Sequence, residues 1–200
     1  MLAQLMSDAI PSSRPNPEPS GVDLTRLCSQ DVSEFRRFVS AHQRQVFGLV
    51  SRLTGHGAHV DDVAQETFLR AYRALPSFDP NGSAKISTWL LTIATNLSFD
   101  ERRKRRPNVE LDEAKNFPTN DTPERAHDRT QLRLALERAA RELPDDQCAA
   151  LVLAEFHGQP IREIAEILGV PESTVKTRLF RAREKMKLSL HEFRMAGSRP

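Results

Sequence analysis

The sequence predicts an all-α fold of two small helical domains joined by a flexible linker. Apolar residues recur at helical spacing in several segments, and no segment of useful length alternates as a strand does. Segments rich in proline, serine and turn-forming residues divide the chain of 200 residues. The predicted parts are a disordered extension over 1–23, a first domain over 24–106, an acidic linker over 107–124, a second domain over 125–192 and a tail over 193–200.

The first long helix of the first domain is predicted to begin beside Asp31. Glu34 follows three residues later, which is typical of a capping box. A helical stripe then continues to a turn at Gly55 and Gly57. The residues of this stripe are Phe35, Phe38, Val39, Val46, Phe47, Val50 and Leu53.

The second helix is predicted to begin at Val60, with Asp61 and Asp62 near the positive end of its dipole. Its buried face consists of Val60, Val63, Ala64, Thr67, Phe68, Ala71 and Leu75. Its opposite face presents Asp62, Gln65, Glu66, Leu69 and Arg73. An outward leucine among charges indicates a protein-binding patch, although single exposed leucines are ordinary.

A third helix follows a loop over residues 78–87 that contains Asp79, Pro80, Asn81 and Gly82. Its apolar stripe is Ile86, Trp89, Leu90, Ile93, Ala94 and Leu97, and the position of Trp89 favours the core over stacking on a base. Beside it runs a polar line of Lys85, Thr88, Thr92, Asn96 and Arg103. Because the helix ends in the basic run RRKRR (102–106), it is suited to hold a nucleic acid strand by its phosphates while the loop receives a base.

The second domain contains a predicted helix-turn-helix. Ile161, Ile164, Ala165 and Leu168 form the stripe of a short helix, Gly169 ends it, and Pro171 opens the next helix. On that second helix, the side predicted to be docked carries Val175, Leu179, Ala182 and Met186. The outer side carries Ser173, Lys176, Thr177, Phe180, Arg181 and Glu184.

Hydroxyls, cations and an aromatic ring on the outer side of this helix suit the major groove of DNA, where they meet base edges and thymine methyls. The alternative interpretation is a basic amphipathic helix that packs on another protein. The formal net charge is only +2, so basicity is local, in the RRKRR run and in residues 176–187.

Composition excludes several classes of function. Cys28 and Cys148 are too few for a disulfide scaffold and indicate a reduced, cytoplasmic protein, with Cys148 in the core. No apolar run approaches the roughly 18 residues of a membrane span, so no membrane insertion is expected. No catalytic, metal-binding or cofactor-binding arrangement is evident, and His157 is interpreted as a satisfied surface or core residue. We therefore expect neither an enzyme nor a small-molecule substrate.

Several motifs occur in an order and spacing that match one family. The segments are DDVAQETFLRAYRAL (61–75), ISTWLLTIATNLSFDERRKRRP (86–107) and ELPDDQCAALVLAEFHGQPIREIAEILGVPESTVKTRLFRARE (142–184). From about residue 24 to residue 191 the chain resembles the extracytoplasmic-function (ECF), or group 4, sigma factors of bacterial RNA polymerase. The segments resemble region 2.2, regions 2.3 and 2.4, and region 4 of that family.

This resemblance implies core RNA polymerase and promoter DNA as partners, an anti-sigma factor as regulator, and a linker that threads toward the RNA exit path. The implied polymerase contacts are Asp62, Gln65, Glu66, Leu69 and Arg73. The implied minus-10 contacts are Asn81, Lys85, Thr88, Thr92, Asn96, Asp100, Arg102, Arg103 and Arg105. The implied minus-35 contacts are Ser173, Lys176, Thr177, Phe180 and Arg181 on bases, with Arg178 and Arg183 on phosphates.

Two other classes of function remain open from the residues alone. A stand-alone helix-turn-helix transcription regulator would bind a palindromic operator tightly without polymerase. A protein-interaction adaptor would carry a basic helix that never touches DNA.

Overall fold

The computed structural model describes residues 21–105, 135–136 and 138–191 in full, and residues 192–197 as backbone. Within these ranges the regular structure is helical and no strand occurs, which confirms the predicted fold class. The predicted linker, most of the N-terminal extension and the end of the tail lie outside the described residues. Among the described helices, none has the length and apolar character needed to cross a membrane.

The first domain consists of a short helix and three long ones that pack on one another. Helices α2, α3 and α4 contact one another pairwise around an apolar core, and α1 covers one end of α2. The elements are α1 (Leu24–Cys28), α2 (Val32–Thr54), α3 (His59–Ala74), a 3-10 turn (Leu75–Ser77) and α4 (Ile86–Arg105).

Helix α2 begins where the sequence predicted, but its capping differs in one detail. Asp31 Oδ1 accepts hydrogen bonds from the amides of Ser33 (2.9 Å) and Glu34 (3.1 Å), as an N-cap does. The Glu34 carboxylate does not close a capping box on Asp31. It is buried and accepts from the amide of Asp23 at 3.2 Å, so it anchors the start of α1.

The predicted stripe of α2 was wrong at Phe47, whose side chain is 37% exposed. The buried line instead passes from Phe38 through His42, Gln45 and Leu49, at steps of four, three and four residues. This line keeps to one side of a helix, whereas Phe47 is turned about 100° away from its buried neighbour Val46. Two polar residues on the line concealed it in the sequence.

Helices α3 and α4 bury the faces that the sequence predicted, with one addition. Every residue assigned to the inner face of α3 is buried. In the apolar stripe of α4, Trp89 and Ile93 are half-buried, with Trp89 against Phe78 at 5.3 Å between ring centroids. The addition is a second buried line on α4, consisting of Thr88, Leu91, Thr95, Ser98 and Arg102.

The second domain contains α5 (Asp145–Glu155), α6 (Ile161–Leu168) and α7 (Glu172–Gly197), which pack pairwise. Gly169 adopts the left-handed conformation at φ 62°, which confirms the predicted turn of a helix-turn-helix. On α6, Ile164 and Ile167 are buried and Leu168 is only half-buried, so the stripe is rotated slightly from the predicted one.

The two domains contact each other mainly through three pairs of helices. Helix α6 packs on α4, and α5 packs on α2 and, through fewer residues, on α4. The buried residues of both domains consequently form one continuous apolar cluster.

Candidate nucleic-acid and polymerase-binding surfaces

Helix α7 presents the predicted reading face to solvent. Val175, Leu179, Ala182 and Met186 are buried, which confirms the docked side and fixes the rotation of the helix. The outer face is exposed, and the Phe180 ring is 66% exposed among cations and hydroxyls. The exposed residues are Ser173, Lys176, Thr177, Phe180, Arg181 and Glu184.

Two arginines at the edges of this face form ion pairs with α5. Arg178 Nε lies 2.9 Å from Asp146 Oδ2, and Arg183 Nη2 lies 2.7 Å from Glu155 Oε1. These are the two arginines for which the family resemblance implies phosphate contacts. They tie α7 to α5.

The predicted polymerase contacts lie together on the outer face of α3. Asp62, Gln65, Leu69 and Arg73 are exposed, and Leu69 is 44% exposed. The fifth residue, Glu66, is partly exposed and accepts a hydrogen bond from Arg70 Nε at 2.8 Å. This acidic, leucine-containing strip is directed away from the core.

The loop before α4 is shaped by Asp79. Its Oδ1 atom accepts from the amide of Asn81 at 2.9 Å, and its carbonyl accepts from the amide of Gly82 at 3.1 Å. A Cβ atom on Gly82 would lie 3.2 Å from that carbonyl oxygen, so the tight turn favours glycine. A pocket of about 360 Å³ opens here, lined by Val22, Leu24, Pro80, Gly82, Ser83, Ala84, Lys85 and Ile86.

The predicted minus-10 residues divide into an accessible group and a buried group. Thr92, Asn96 and Arg103 follow one another along the open side of α4. Thr88 and Arg102 belong instead to the second buried line, with Thr88 only 3% and Arg102 only 9% exposed. The other members are Asn81 and Lys85, which are exposed, and Asp100 and Arg105, which are half-buried.

Arg102 is held by the second domain. All five N–H donors of its guanidinium meet an acceptor, and four of these five acceptors belong to the second domain. The acceptors are Asp145 Oδ1 (2.7 Å), the carbonyls of Leu53 (2.8 Å), Leu143 (3.1 Å) and Arg141 (3.4 Å), and Cys148 Sγ (3.5 Å).

Glu163 of α6 makes a second polar contact between the domains. One of its carboxylate oxygens forms an ion pair with Lys85, and the other accepts from Thr88 Oγ1 at 3.4 Å. Sequence reasoning missed Glu163 and Asp145. In the sequence neither residue is distinguished from other acidic residues, because their partners lie far away along the chain.

Comparison with known proteins decides the family. Residues 38–107 match the family model described as Sigma-70 region 2, and residues 133–186 match that of Sigma-70, region 4. The ECF RNA polymerase sigma factor SigW of Bacillus subtilis is 34% identical over 173 residues, covering 81% of this chain and 91% of that protein. The chain belongs to the ECF sigma factors.

Other relatives agree with this membership. The ECF RNA polymerase sigma-E factor of Escherichia coli is 38% identical over 172 residues, covering 80% of this chain and 88% of that sigma factor. The solved structure of CnrH in complex with the cytosolic domain of CnrY superposes with a TM-score of 0.65 at 26% identity, covering 84% of this chain and 95% of that one. The two domains of this sigma factor are accordingly region 2 and region 4.

His157 of region 4 lies at the packed part of the contact with region 2. Its ring is 3% exposed, and Cε1 would lie 3.7 Å from a Cβ atom on Gly48 of α2. Burial, with a smaller contribution from the nearby Arg52 cation, lowers the pKa of His157 to about 3. Nε2 has no hydrogen-bond partner among the described residues. The sequence predicted a histidine whose polar atoms are satisfied, and this prediction is wrong for Nε2. Beside it, the Arg52 guanidinium lies over the Phe156 ring, 4.7 Å from the centroid.

Proposed function

We propose that this sigma factor brings core RNA polymerase to promoters that carry two elements, read by α7 at minus-35 and by α4 with its preceding loop at minus-10. The observation that carries the proposal is the outer face of α7. An aromatic ring that is 66% exposed lies there between cations and hydroxyls, on a helix whose rotation is fixed by its buried side. Such a face matches the chemistry of base edges in the major groove.

At minus-35, Arg181 and Lys176 can donate to acceptors on guanine, and the Phe180 ring can contact a thymine methyl group. Arg178 and Arg183 flank the face and would contact phosphates. Their ion pairs with α5 place both guanidinium groups at its edges before DNA arrives.

At minus-10, the proposed task is capture of a single strand. The pocket beside Gly82 would receive a flipped base, and the exposed line with Asn96 and Arg103 would hold the strand. Opening then follows from preferential binding to the single-stranded form, which offsets the few kcal/mol lost on unstacking. The bond-forming chemistry of transcription belongs to the polymerase, so this chain is not an enzyme and acts in the cytoplasm with it.

The outer face of α3 is the proposed contact with the clamp helices of polymerase, as in the family. Its exposed leucine supplies apolar area, and the surrounding acids supply charge complementarity. Polymerase thereby fixes the spacing of regions 2 and 4 and raises the effective concentration of the second DNA contact.

Regulation by an anti-sigma factor completes the proposal. The solved structure of CnrH described above is that of a complex with the cytosolic domain of CnrY. A comparable partner would cover the polymerase-binding faces. Purification from uninduced cells is expected to recover a complex with such a protein, and recovery only as free monomer or as polymerase complex contradicts this part.

In vitro transcription tests the function directly. Core polymerase, with and without this protein, is supplied with a library of promoters, and initiation sites are sequenced. We expect initiation that depends on the protein and that selects two elements at fixed spacing. Tight binding to a palindromic site in the absence of polymerase would instead identify a stand-alone regulator. An adaptor would show neither behaviour.

A further inference from the structure

We propose that the outer face of α2 is a further binding site for single-stranded DNA, which holds the promoter strand beside the base that region 2 captures. The inference deepens the proposed function, because it rests on capture of a minus-10 base in the pocket beside Gly82. From Ser33 onward, the exposed residues within about 60° of Phe47 around α2 form this outer face. They are Ser33, Arg36, Ser40, Gln43, Arg44 and Phe47.

The outer face of α2 carries cations, hydroxyls and an aromatic ring, and it carries no carboxylate. The only acid of α2 is Glu34, which is buried. Surfaces that serve solubility alone usually mix both signs of charge. Among the described residues, the side chains of Arg36 and Arg44 have no ion pair or hydrogen bond, so both guanidinium groups are available to phosphates.

Phe47 lies at the centre of this face with polar neighbours on both sides. Its ring is 37% exposed. Gln43 and Arg44 precede it by four and three residues, and Cβ atoms at these spacings on a helix are about 5–6 Å apart. A base stacked on the ring would therefore have its phosphate close to Arg44. Aromatic rings beside cations are what proteins use to bind unpaired strands.

The start of α2 is attached to one wall of the pocket. That wall includes Val22 and Leu24, and the amide of Asp23 between them donates to Glu34 of α2 at 3.2 Å. Arg37 Nη1 lies 3.3 Å from Glu34 Oε1, and the Arg37 side chain is exposed. A cation thus stands between the pocket and the outer face of α2. A strand whose base enters the pocket is unpaired where it meets this helix.

The outer face is long enough for several nucleotides. Phe47 follows Arg36 by 11 positions, which is about 16 Å at 1.5 Å per residue. Successive phosphates on one strand of duplex DNA are about 3.4 Å apart along the axis, so the face exceeds the size of a single phosphate. Helix α4 also begins at the pocket, with Ile86 in its lining. The strand would follow α4 on one side of the captured base and α2 on the other.

Two other partners with negative charge fit this face less well. An acidic polypeptide would pair with the arginines but would offer no base to the Phe47 ring. Duplex DNA keeps its bases stacked on one another, so their faces are not accessible to an aromatic side chain. The combination of an exposed ring with unpaired cations therefore favours the single strand.

Anisotropy of a fluorescent, mixed-sequence single-stranded oligonucleotide measures binding to the full-length protein. Arg36→Gln/Arg44→Gln removes the two cations, and Phe47→Leu removes the ring but keeps an apolar side chain. Arg70→Gln/Arg162→Gln is the matched control, because it changes the net charge equally at two exposed arginines that no proposed surface includes. Circular dichroism and thermal unfolding verify that every variant is folded.

We expect Arg36→Gln/Arg44→Gln to bind more weakly, with a salt dependence of log K that is shallower by about 1.4. Each phosphate contact on a single strand contributes about 0.7 to that slope. Phe47→Leu should bind about fivefold more weakly or worse with an unchanged slope, because stacking releases no counter-ion. The control should keep the wild-type slope.

Three results would overturn the inference. One is an equal loss of binding in the control and in Arg36→Gln/Arg44→Gln, and another is full binding by Phe47→Leu. The third concerns the partner. If polyglutamate or the duplex form of the same sequence competes at this face as well as the single strand does, the site is not one for single-stranded DNA.

Photocrosslinking in promoter complexes with core polymerase separates this inference from the proposed function. A photoreactive amino acid replaces Ser40 in one sample and Ser83, which lines the pocket, in another. We expect both to crosslink to the same strand, within a few nucleotides of each other. Crosslinks from Ser83 to DNA, but from Ser40 only to a polymerase subunit, would overturn the α2 site and leave the proposed function intact. If neither position reaches minus-10 DNA while the α2 variants still bind the oligonucleotide weakly, the proposed function is contradicted and the α2 site stands.

Discussion

Arg181 combines exposure with a rigid supporting helix, which suits a residue that reads a base. It is one turn from Thr177, whose hydroxyl donates to the Ser173 carbonyl at 3.0 Å and is thereby oriented along the helix. A guanidinium can contact both O6 and N7 of guanine, which gives more discrimination than a single hydrogen bond. The neighbouring Phe180 ring adds apolar contact on the same face.

Truncation of this guanidinium should weaken recognition of minus-35 specifically. Arg181→Ala is expected to cost about 1–3 kcal/mol at promoters with the preferred element, because a base contact is lost. Lys187→Ala serves as the control, since Lys187 is exposed on a different side of α7. Competitive transcription of promoters that differ only at minus-35 measures this cost. An unchanged promoter preference in Arg181→Ala would show that Arg181 does not contact a base.

Helix α4 shows why an element can serve two surfaces. Its first buried line packs within region 2, and its second, from Thr88 to Arg102, meets region 4. Local periodicity predicted the first line because its residues are apolar. It could not predict the second, because threonine, serine and arginine at helical spacing look like a solvated face until the opposing domain is known.

The buried faces of the other helices could be predicted only where apolar and polar residues are separated along the sequence. The inner faces of α3 and α7 were predicted correctly because apolar and polar residues are cleanly segregated on both helices. On α2, His42 and Gln45 are buried while Phe47 is exposed, so the polarity of individual residues misled the assignment. The acceptors for Arg102 lie about 40 positions along the chain, and only tertiary packing brings them together.

The turn between α6 and α7 depends on Gly169, and its substitution tests the helix-turn-helix at the level of backbone conformation. A Cβ atom there would meet nothing within 4 Å, so only the φ of 62° penalises a side chain. Gly169→Ala should therefore lower the free energy of unfolding of region 4 by about 1–2 kcal/mol. Gly169→Asn should lose less, because asparagine tolerates this conformation. Chemical denaturation measures both, and equal losses would contradict the conformational explanation.

The outer face of α3 leads to a prediction about binding to core polymerase. Charge reversal at Asp62 or Glu66 should abolish binding to core polymerase, because it reverses complementarity at an exposed surface without touching the buried face. Thermal unfolding should be nearly unchanged. Glu166→Lys on α6 is the control for charge reversal as such. Normal polymerase binding by Glu66→Lys would count against the assignment of this strip.

At the scale of the whole molecule, the contact between the domains should respond to pH through His157. Burial at this contact, together with the nearby Arg52 cation, lowers its pKa from 6.5 to about 3, so packing of region 4 on region 2 favours the neutral ring. Stability is therefore complete above about pH 6.5 and declines as the pH falls toward 3, because the open or unfolded state binds the extra proton. The slope is at most about 1.4 kcal/mol per pH unit for one group.

Unfolding free energies measured between pH 7 and pH 4 test this expectation. The comparison uses His157→Gln, which removes only the imidazole. We expect the variant to show a shallower decline above pH 5, and domain separation by scattering to begin at a lower pH. Parallel profiles for the two proteins would show that His157 is not the responsive group.

The Cys148 thiol, which lies 3.5 Å from Arg102 Nη1, is a native reporter of whether region 4 is packed on region 2. The thiol is fully buried, and burial raises its pKa, so in the closed form it is shielded from alkylating reagents and poorly ionised. Cys28, which is only partly buried, supplies a reference thiol in region 2 of the same chain. The ratio of alkylation rates at the two cysteines therefore records how often region 4 departs from region 2, in the unmodified protein and in a living cell.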